Sequence, residues 1–169
     1  MKTVKVLVAA SMAAALLAGC GSKTDTDTFR FASELDIQGM DSTVVDDGMS
    51  FNAVHAITDG LTAVNEKGKT APAIAKSWDV SDDGKTYTFH LRDAKWTNGD
   101  KVTANDFVYS WRKIIKDAGN YAYMLGSGGA SVKNADALME LGANATDEQM
   151  ATLGVTAKDD QTLVVELEN

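Results

Sequence analysis

The chain has few of the residues that staple or stiffen a small domain. Its 169 residues include one cysteine, one proline and two histidines. One cysteine excludes an internal disulfide, and with no Cys-x-x-Cys pair or His/Cys cluster there is no ligand set for a structural zinc. No run of five or more Lys/Arg occurs, and 24 acidic against 16 basic side chains give a net charge of −8. An acidic chain without a basic stripe is a poor partner for nucleic acid. What is present is an ordinary mixture, 44% hydrophobic and 24% charged, which suits a chain that buries a core and argues against disorder over most of its length.

The single cysteine takes its meaning from its neighbours. Lys2 and Lys5 precede an uncharged small and apolar stretch from Val6 to Ala18, closed by Leu17-Ala18-Gly19-Cys20. That stretch falls short of the roughly 20 residues a membrane-spanning helix needs, and charged start, apolar run and small residues together form a secretory signal. Leu-Ala-Gly-Cys resembles the bacterial lipobox. The resemblance implies a signal peptide over residues 1–19 and a mature chain starting at Cys20, which carries a thioether-linked diacylglycerol and anchors the protein on the outer face of the cell membrane. Each buried acyl methylene contributes about 0.8 kcal/mol to such an anchor. Gly21 to Thr28 is small and polar throughout, so residues 20–28 read as a lipidated, flexible tether.

From Phe29 the pattern changes. Phe29 to Glu34 alternates apolar and polar residues, the period of a half-buried strand. Asp36 to Ser50 reads as a loop, and Phe51, Val54, Ile57 and Leu61 recur at helical spacing with Gly60 as the stop. Leu61–Val64 is a strand, Asn65–Gly68 a turn, and Pro72 opens a turn running to Ala75. Ser77–Val80 and Thr86–Arg92 flank Asp83-Gly84 as a hairpin, and Asn98-Gly99 marks a second tight turn. Thr103 and Asp106 mark a helix start, followed by the stripe Phe107, Val108, Trp111, Ile114 and Ile115 on one face, a helix from Thr103 to Lys116. Gly126–Gly129 breaks the chain. Ala135–Leu141 and Thr146–Leu153 read as short helices, the second with the capping box Thr146-x-x-Gln149. Thr162–Glu168 reads as a strand with nothing to cover its edge, so that the sequence looks cut at Asn169. Asp82–Leu91 and Asp159–Leu167 echo each other as shared hairpin chemistry. The class these elements define is α/β, α+β-like, with mainly antiparallel strands in mixed sheets.

Candidate chemistry is sparse. His55 and His90 stand 35 positions apart, and without further ligands at metal spacing both read as ordinary surface residues. No Gly-x-Ser-x-Gly elbow surrounds a serine, and Gly126-Ser127-Gly128-Gly129 lacks the spacing of a nucleotide loop. Asp46-Asp47 suits a cation less well than it suits solvent. Trp78, Trp96 and Trp111 sit within periodic elements, where core positions are expected. No metal, cofactor or catalytic residue is assigned.

Residues 75–113 resemble the signature region of the extracellular solute-binding proteins of family 5, the peptide- and nickel-type receptors of ABC importers. The matching motifs occur in order: Ala75-x-Ser77-Trp78, Asp83-Gly84 followed by Thr86-Tyr87-Thr88-Phe89-x-Leu91-Arg92, Ala94-Lys95-Trp96-x-Asn98-Gly99, and Thr103-Ala104-x-Asp106-Phe107-Val108-Tyr109-Ser110-Trp111. Asp59-Gly60-Leu61, Pro72–Ala75 and the last strand extend the likeness to roughly residues 29–169. It implies the N-terminal part of a two-lobed, periplasmic-binding-protein type II fold whose C-terminal lobe is absent.

The resemblance also implies function: a lipid-anchored, monomeric receptor that takes up extracellular peptides and hands them to an ABC permease and ATPase complex, in the periplasm or at the cell surface, without making or breaking a bond. The Tyr-Ser-Trp ending and the lipobox favour oligopeptide receptors over the nickel- or haem-type members. A lipid-anchored peptidase or glycosidase is the rival from another class, and a structural or adhesive lipoprotein a third. By resemblance, the loop before the first helix lends main-chain groups to the peptide and the segment after the Tyr-Ser-Trp helix lends a tyrosine. Those regions hold Asp47, Gly48, Met49 and Tyr121. Asp47 suits a ligand ammonium, Gly48 close backbone approach, Met49 varied side chains, and Tyr121 an apolar ring with a hydroxyl donor.

Overall fold

A computed structural model describes residues 31–168. The expected signal peptide, lipobox with Cys20 and tether, and Phe29 and Arg30 with them, lie outside the described residues. The chain divides into two units, Met1–Glu34 and Leu35–Asn169. In the first, described residues 31–34 are irregular and exposed instead of forming the expected strand. Alternation suits side chains to a half-buried surface, but a strand exists only within a ladder, and no ladder of the described residues includes them.

The second unit opens with α1, Gly48–Ile57. It begins three residues before Phe51, because Asp47 caps it: Ser50 N donates to Asp47 Oδ1 at 2.8 Å. It ends at Ile57, ahead of the expected Gly60, because Thr58 turns extended and donates its amide to Val54 O at 3.0 Å. Leu61 therefore lies outside the helix, and only Val54 of the expected stripe is buried.

A small antiparallel sheet pairs β1 (Thr62–Val64) with β2 (Thr70–Pro72), Thr62 opposite Pro72. Pro72 thus closes a strand instead of opening a turn. It sits at a strand end on a two-stranded ribbon, where its missing N–H costs no ladder bond. The larger sheet contains β3 (Ala75–Val80), β4 (Thr86–Leu91), β5 (Val155–Asp159) and β6 (Thr162–Glu166), in the order β3-β4-β6-β5, all antiparallel. The first hairpin forms as read, with Trp78 opposite Phe89 and Val80 opposite Tyr87, and Gly84 supplies φ +72° in its turn. The last strand, β6, is no edge: it lies between β4 and β5.

The helix α2, Ala104–Lys116, starts as read, Thr103 N donating to Asp106 Oδ2 at 2.6 Å. It packs across β5 and β6 and against α3, Ala135–Leu141. A 3-10 turn at Ala122–Met124 precedes the glycine-rich break, and a second, Gly142–Asn144, follows α3. The capping box at Thr146 forms, with Thr146 N donating to Gln149 Oε1 at 2.9 Å, but its helix α4 is only Asp147–Met150. Among the described residues, Leu91, Ile115, Val132, Leu153, Val155 and Leu163 are the largest fully buried apolar side chains. Among the described residues no helix is long and apolar enough to cross a membrane.

Two apolar rows cross one face of the sheet. One runs Trp78, Phe89, Leu163, Ala157; the other runs Val80, Tyr87, Val165, Val155. Leu163, Val165 and Val155 lie under α2 and are buried, Tyr87 and Phe89 are partly buried, and Val80 is 46% exposed. One helix covers only half the face. The opposite face is polar, and there His90 Nε2 meets Asp79 Oδ2 at 2.8 Å, as expected of a surface histidine.

Candidate ligand site and aromatic groove

The four residues assigned to ligand contact lie around the start of α1. Asp47 is its N-cap, Gly48 and Met49 are its first two residues. The Ser50 side chain is fully buried and ties this turn to the preceding loop: its Oγ accepts from the amides of Gln38 at 3.0 Å and Gly39 at 3.2 Å. The Ser50 hydroxyl, then its amide, hold the Asp47 carboxyl below the usual carboxylate range, so Asp47 is anionic at neutral pH. Asp47 Oδ2 is buried and accepts no geometrically formed hydrogen bond among the described residues. The Gly48 amide lies in the first turn, where no intrahelical acceptor exists, and among the described residues no backbone acceptor outside the helix meets it.

Tyr121 reaches this turn from the far side. The loop at 41–45 is braced by Asp41, whose Oδ1 accepts from Thr43 Oγ1 at 2.7 Å and from Thr43 N at 2.9 Å, so that its carboxyl too is held low. Asn120 clasps that loop, its amide donating to Thr43 O at 3.0 Å and its Nδ2 to Val44 O at 2.6 Å. Gly119 leaves room for the crossing, since a Cβ there would lie 2.8 Å from Thr43 O. Tyr121 then meets Phe51 edge to face, ring centroids 5.3 Å apart. The fold thus brings Tyr121 against the same helical turn that carries Asp47, Gly48 and Met49. Nothing in the surroundings of Gly48 demands glycine: a Cβ there has no neighbour within 4 Å.

Sequence reading missed the larger feature. Beginning at Ser42 and Phe51, a cavity of about 1200 Å³ runs between α1 and the uncovered half of the sheet, lined by Trp78, Tyr87, Phe89, Trp96, Phe107 and Trp111. The three tryptophans are not core residues as expected. Trp111 packs on the edge of the core, Trp78 is partly buried outside it, and Trp96 is 47% exposed. On the rim Arg92 Nη2 donates to Asp59 Oδ2 at 3.1 Å. The face these aromatics share was legible from their alternation; which end of the sheet α2 covers was not. Among the described residues no group of three or more His, Cys, Asp or Glu is placed to hold a metal ion.

The fold superposes on substrate-binding domains of solved oligopeptide-binding proteins. A Bacillus anthracis oligopeptide ABC transporter substrate-binding domain superposes with a TM-score of 0.73 at 37% identity, over 82% of this chain and 26% of that one. Haemophilus influenzae OppA in complex with the peptide RPPGFSPFR gives 0.70 at 38% identity, over 78% and 25%. In sequence, a dipeptide-binding protein of Lactococcus lactis subsp. cremoris is 38% identical over 174 residues, covering 99% of this chain and 30% of the relative. The periplasmic oligopeptide-binding protein of Haemophilus influenzae is 40% identical over 119 residues, covering 70% and 21%.

The class is therefore an α/β solute-binding domain, matched over part of the two-lobed fold. Residues 69–169 match the bacterial extracellular solute-binding proteins, family 5 Middle, and the chain belongs to that family. It spans under a third of the length of these relatives.

Proposed function

We propose that this chain is the N-terminal portion of a lipid-anchored receptor that binds extracellular peptides and delivers them to an ABC permease and its ATPase. The observation that carries the reading is the match over 99% of the chain to a dipeptide-binding protein. The receptor works as a monomer on the outer face of the membrane, held by the diacylglycerol on Cys20, and changes no covalent bond in its ligand. It needs no metal or cofactor.

The turn at the start of α1 supplies the local chemistry. The Gly48 amide offers a main-chain donor to a peptide carbonyl, the pairing that lets such sites accept many side chains. The low carboxyl of Asp47 suits a peptide ammonium or a lysine head. Tyr121, its ring held by Phe51, offers a hydroxyl with no hydrogen bond among the described residues, and Met49 adapts to the side chain alongside.

The test is calorimetric titration with di- to pentapeptides of a chimera in which the matching part of the Lactococcus lactis protein is replaced by this chain. Asp47→Asn keeps the cap but removes the charge; it and Tyr121→Phe each weaken binding by about 1 to 3 kcal/mol. Wild-type affinity in both removes these residues from the site, and a folded chimera that binds no peptide removes the function. Expression of Cys20→Ser in a bacterium releases the protein from membranes; retained lipid labelling sinks the anchor.

A further inference from the structure

We propose that Asn98 is a site of self-modification: the Gly99 nitrogen attacks its side-chain amide, ammonia leaves, and the turn between Lys95 and Lys101 sets the rate. Asn98-Gly99 is the sole Asn-Gly pair of the chain, and glycine lacks the side chain that would shield the attacking nitrogen. Residues 95–101 are exposed throughout, and a Cβ built on Gly99 would meet nothing within 4 Å. Water reaches the reacting atoms freely. What restrains them is the turn's own hydrogen bonding.

Trp96 N donates to Asp100 O at 2.8 Å and Gly99 N to Trp96 O at 2.9 Å. Asp100 N donates to Asn98 Oδ1 at 3.0 Å, and Asn98 Nδ2 donates to Asp100 Oδ2 at 2.7 Å. Chemistry dictates this orientation of the amide, since a backbone N–H only donates and a carboxylate only accepts. Both reacting groups are thus engaged: the nucleophile's N–H is committed to Trp96, and the leaving group is held by Asp100. Reaction waits on local opening, so its rate reports the stability of this one turn. Opening is helped at the base of the turn, where Lys95 and Lys101 pair opposite each other and like charges directly opposed weaken the pairing.

On opening, the Gly99 nitrogen bonds to Asn98 Cγ and the Cγ–Nδ2 bond breaks. Nδ2 leaves as ammonia with the proton that Gly99 gives up, and a cyclic imide remains. Water then opens the ring. Cleavage of the nitrogen from Cγ restores the ordinary backbone with aspartate in place of Asn98; cleavage from the main-chain carbonyl routes the backbone through the side chain and lengthens it by a methylene. In both products the new carboxyl ionises, and the donor to Asp100 becomes a second anion. Two carboxylates repel where a 2.7 Å hydrogen bond stood, so the product loosens the turn that gated its formation. The inference is independent of peptide binding and is read on this chain alone.

The full chain is incubated at neutral pH and digested with trypsin, which releases residues 96–101 by cleavage after Lys95 and Lys101. Mass spectrometry follows the replacement of NH2 by OH in that fragment, with a synthetic peptide of residues 94–102 as the open reference. Conversion in the folded chain is slower than in the reference by about tenfold or more, and Asp100→Ala recovers most of that difference against a reference peptide carrying the same change. Equal rates in the wild-type chain and its peptide overturn the proposal, as does an Asp100→Ala chain as slow as the wild type, or a wild-type chain that stays unconverted for as long as it stays folded. The effect of the product is read separately. Amide exchange at Gly99 speeds by about threefold or more in Asn98→Asp, as for a lost hydrogen bond, and less in the uncharged Asn98→Ser; exchange in Asn98→Asp equal to wild type overturns the loosened turn.

Discussion

Phe51 and Tyr121 meet edge to face, with ring centroids 5.3 Å apart and planes at 69°. One ring belongs to the first turns of α1 and the other to the segment after α2, so the contact links two stretches that are 70 positions apart in sequence. Aromatic pairs of this geometry contribute about 0.5–1.5 kcal/mol beyond the area they bury. A double-mutant cycle of Phe51→Leu and Tyr121→Leu, read by urea unfolding, gives a coupling energy in that range. A coupling indistinguishable from zero means that Tyr121 is not held against the candidate site.

The fully buried residues, not the tryptophans, set the stability of the fold. Leu163 and Ile115 are completely buried, while Trp96 is 47% exposed. Truncation of a buried Leu or Ile to Ala costs about 2–5 kcal/mol, and changes at exposed positions stay within about 0.5 kcal/mol. Leu163→Ala and Ile115→Ala therefore lower the denaturation midpoint strongly, Trp96→Ala barely, and Trp111→Ala by an intermediate amount. A Trp96→Ala loss as large as that of Leu163→Ala would show that the groove is closed in this chain.

Much of this arrangement was legible because local chemistry dictated it. Asp83-Gly84 and Asn98-Gly99 gave tight turns, the amide of Thr103 found Asp106, and Thr146 found Gln149. The strand order was not, because it depends on pairing between distant segments. The echo between Asp82–Leu91 and Asp159–Leu167 held the needed information: the second strands of the two hairpins are the central pair of the sheet, Phe89 opposite Leu163 and Tyr87 opposite Val165. Read as shared hairpin chemistry, the echo left β6 at an edge. In the same way, the four candidate site residues were found as two separate stretches, and only the clasp of Asn120 on Thr43 and Val44 shows why they converge.

Acid weakens the fold through its turns and caps. The carboxyls of Asp41, Asp47, Asp83, Asp147 and Asp159 are all held low: Asp41 by the Thr43 hydroxyl, Asp47 by that of Ser50, Asp83 by that of Ser81, Asp147 by the ammonium of Lys116 and Asp159 by the amide of Gln161. A depressed folded-state pKa contributes stability that is complete above the unfolded value, about 4, and is lost as the pH falls through the folded values. The melting temperature accordingly drops as the pH falls below about 4. Lys113 has the opposite sign. Its pKa is raised, first by the hydrogen bond to Asp117, so its contribution is present below the unfolded lysine value and fades as the pH rises through the folded one. The Lys113→Met variant flattens the alkaline limb, and Asp83→Asn with Asp159→Asn flattens the acid limb; unchanged limbs in these variants would mean that other groups govern the profile.

Gly48→Ala separates folding from binding at one position. Gly48 is the first residue of α1, has no positive φ, and a Cβ built on it meets nothing within 4 Å. Alanine is favoured over glycine in a helix by up to about 1 kcal/mol, so the variant is as stable as the wild type or slightly more so. Gly154→Ala is the contrasting case, since its Cβ would lie 2.5 Å from Glu166 O and 3.0 Å from Lys133 N, and the sheet must shift to admit it. If a peptide main chain approaches the Gly48 amide closely, the added methyl stands in its path. Peptide affinity in the chimera then falls by about tenfold or more while the melting temperature holds, the signature of a lost contact made only in the complex. A Gly48→Ala chimera that binds peptide as the wild type does places the ligand's backbone elsewhere.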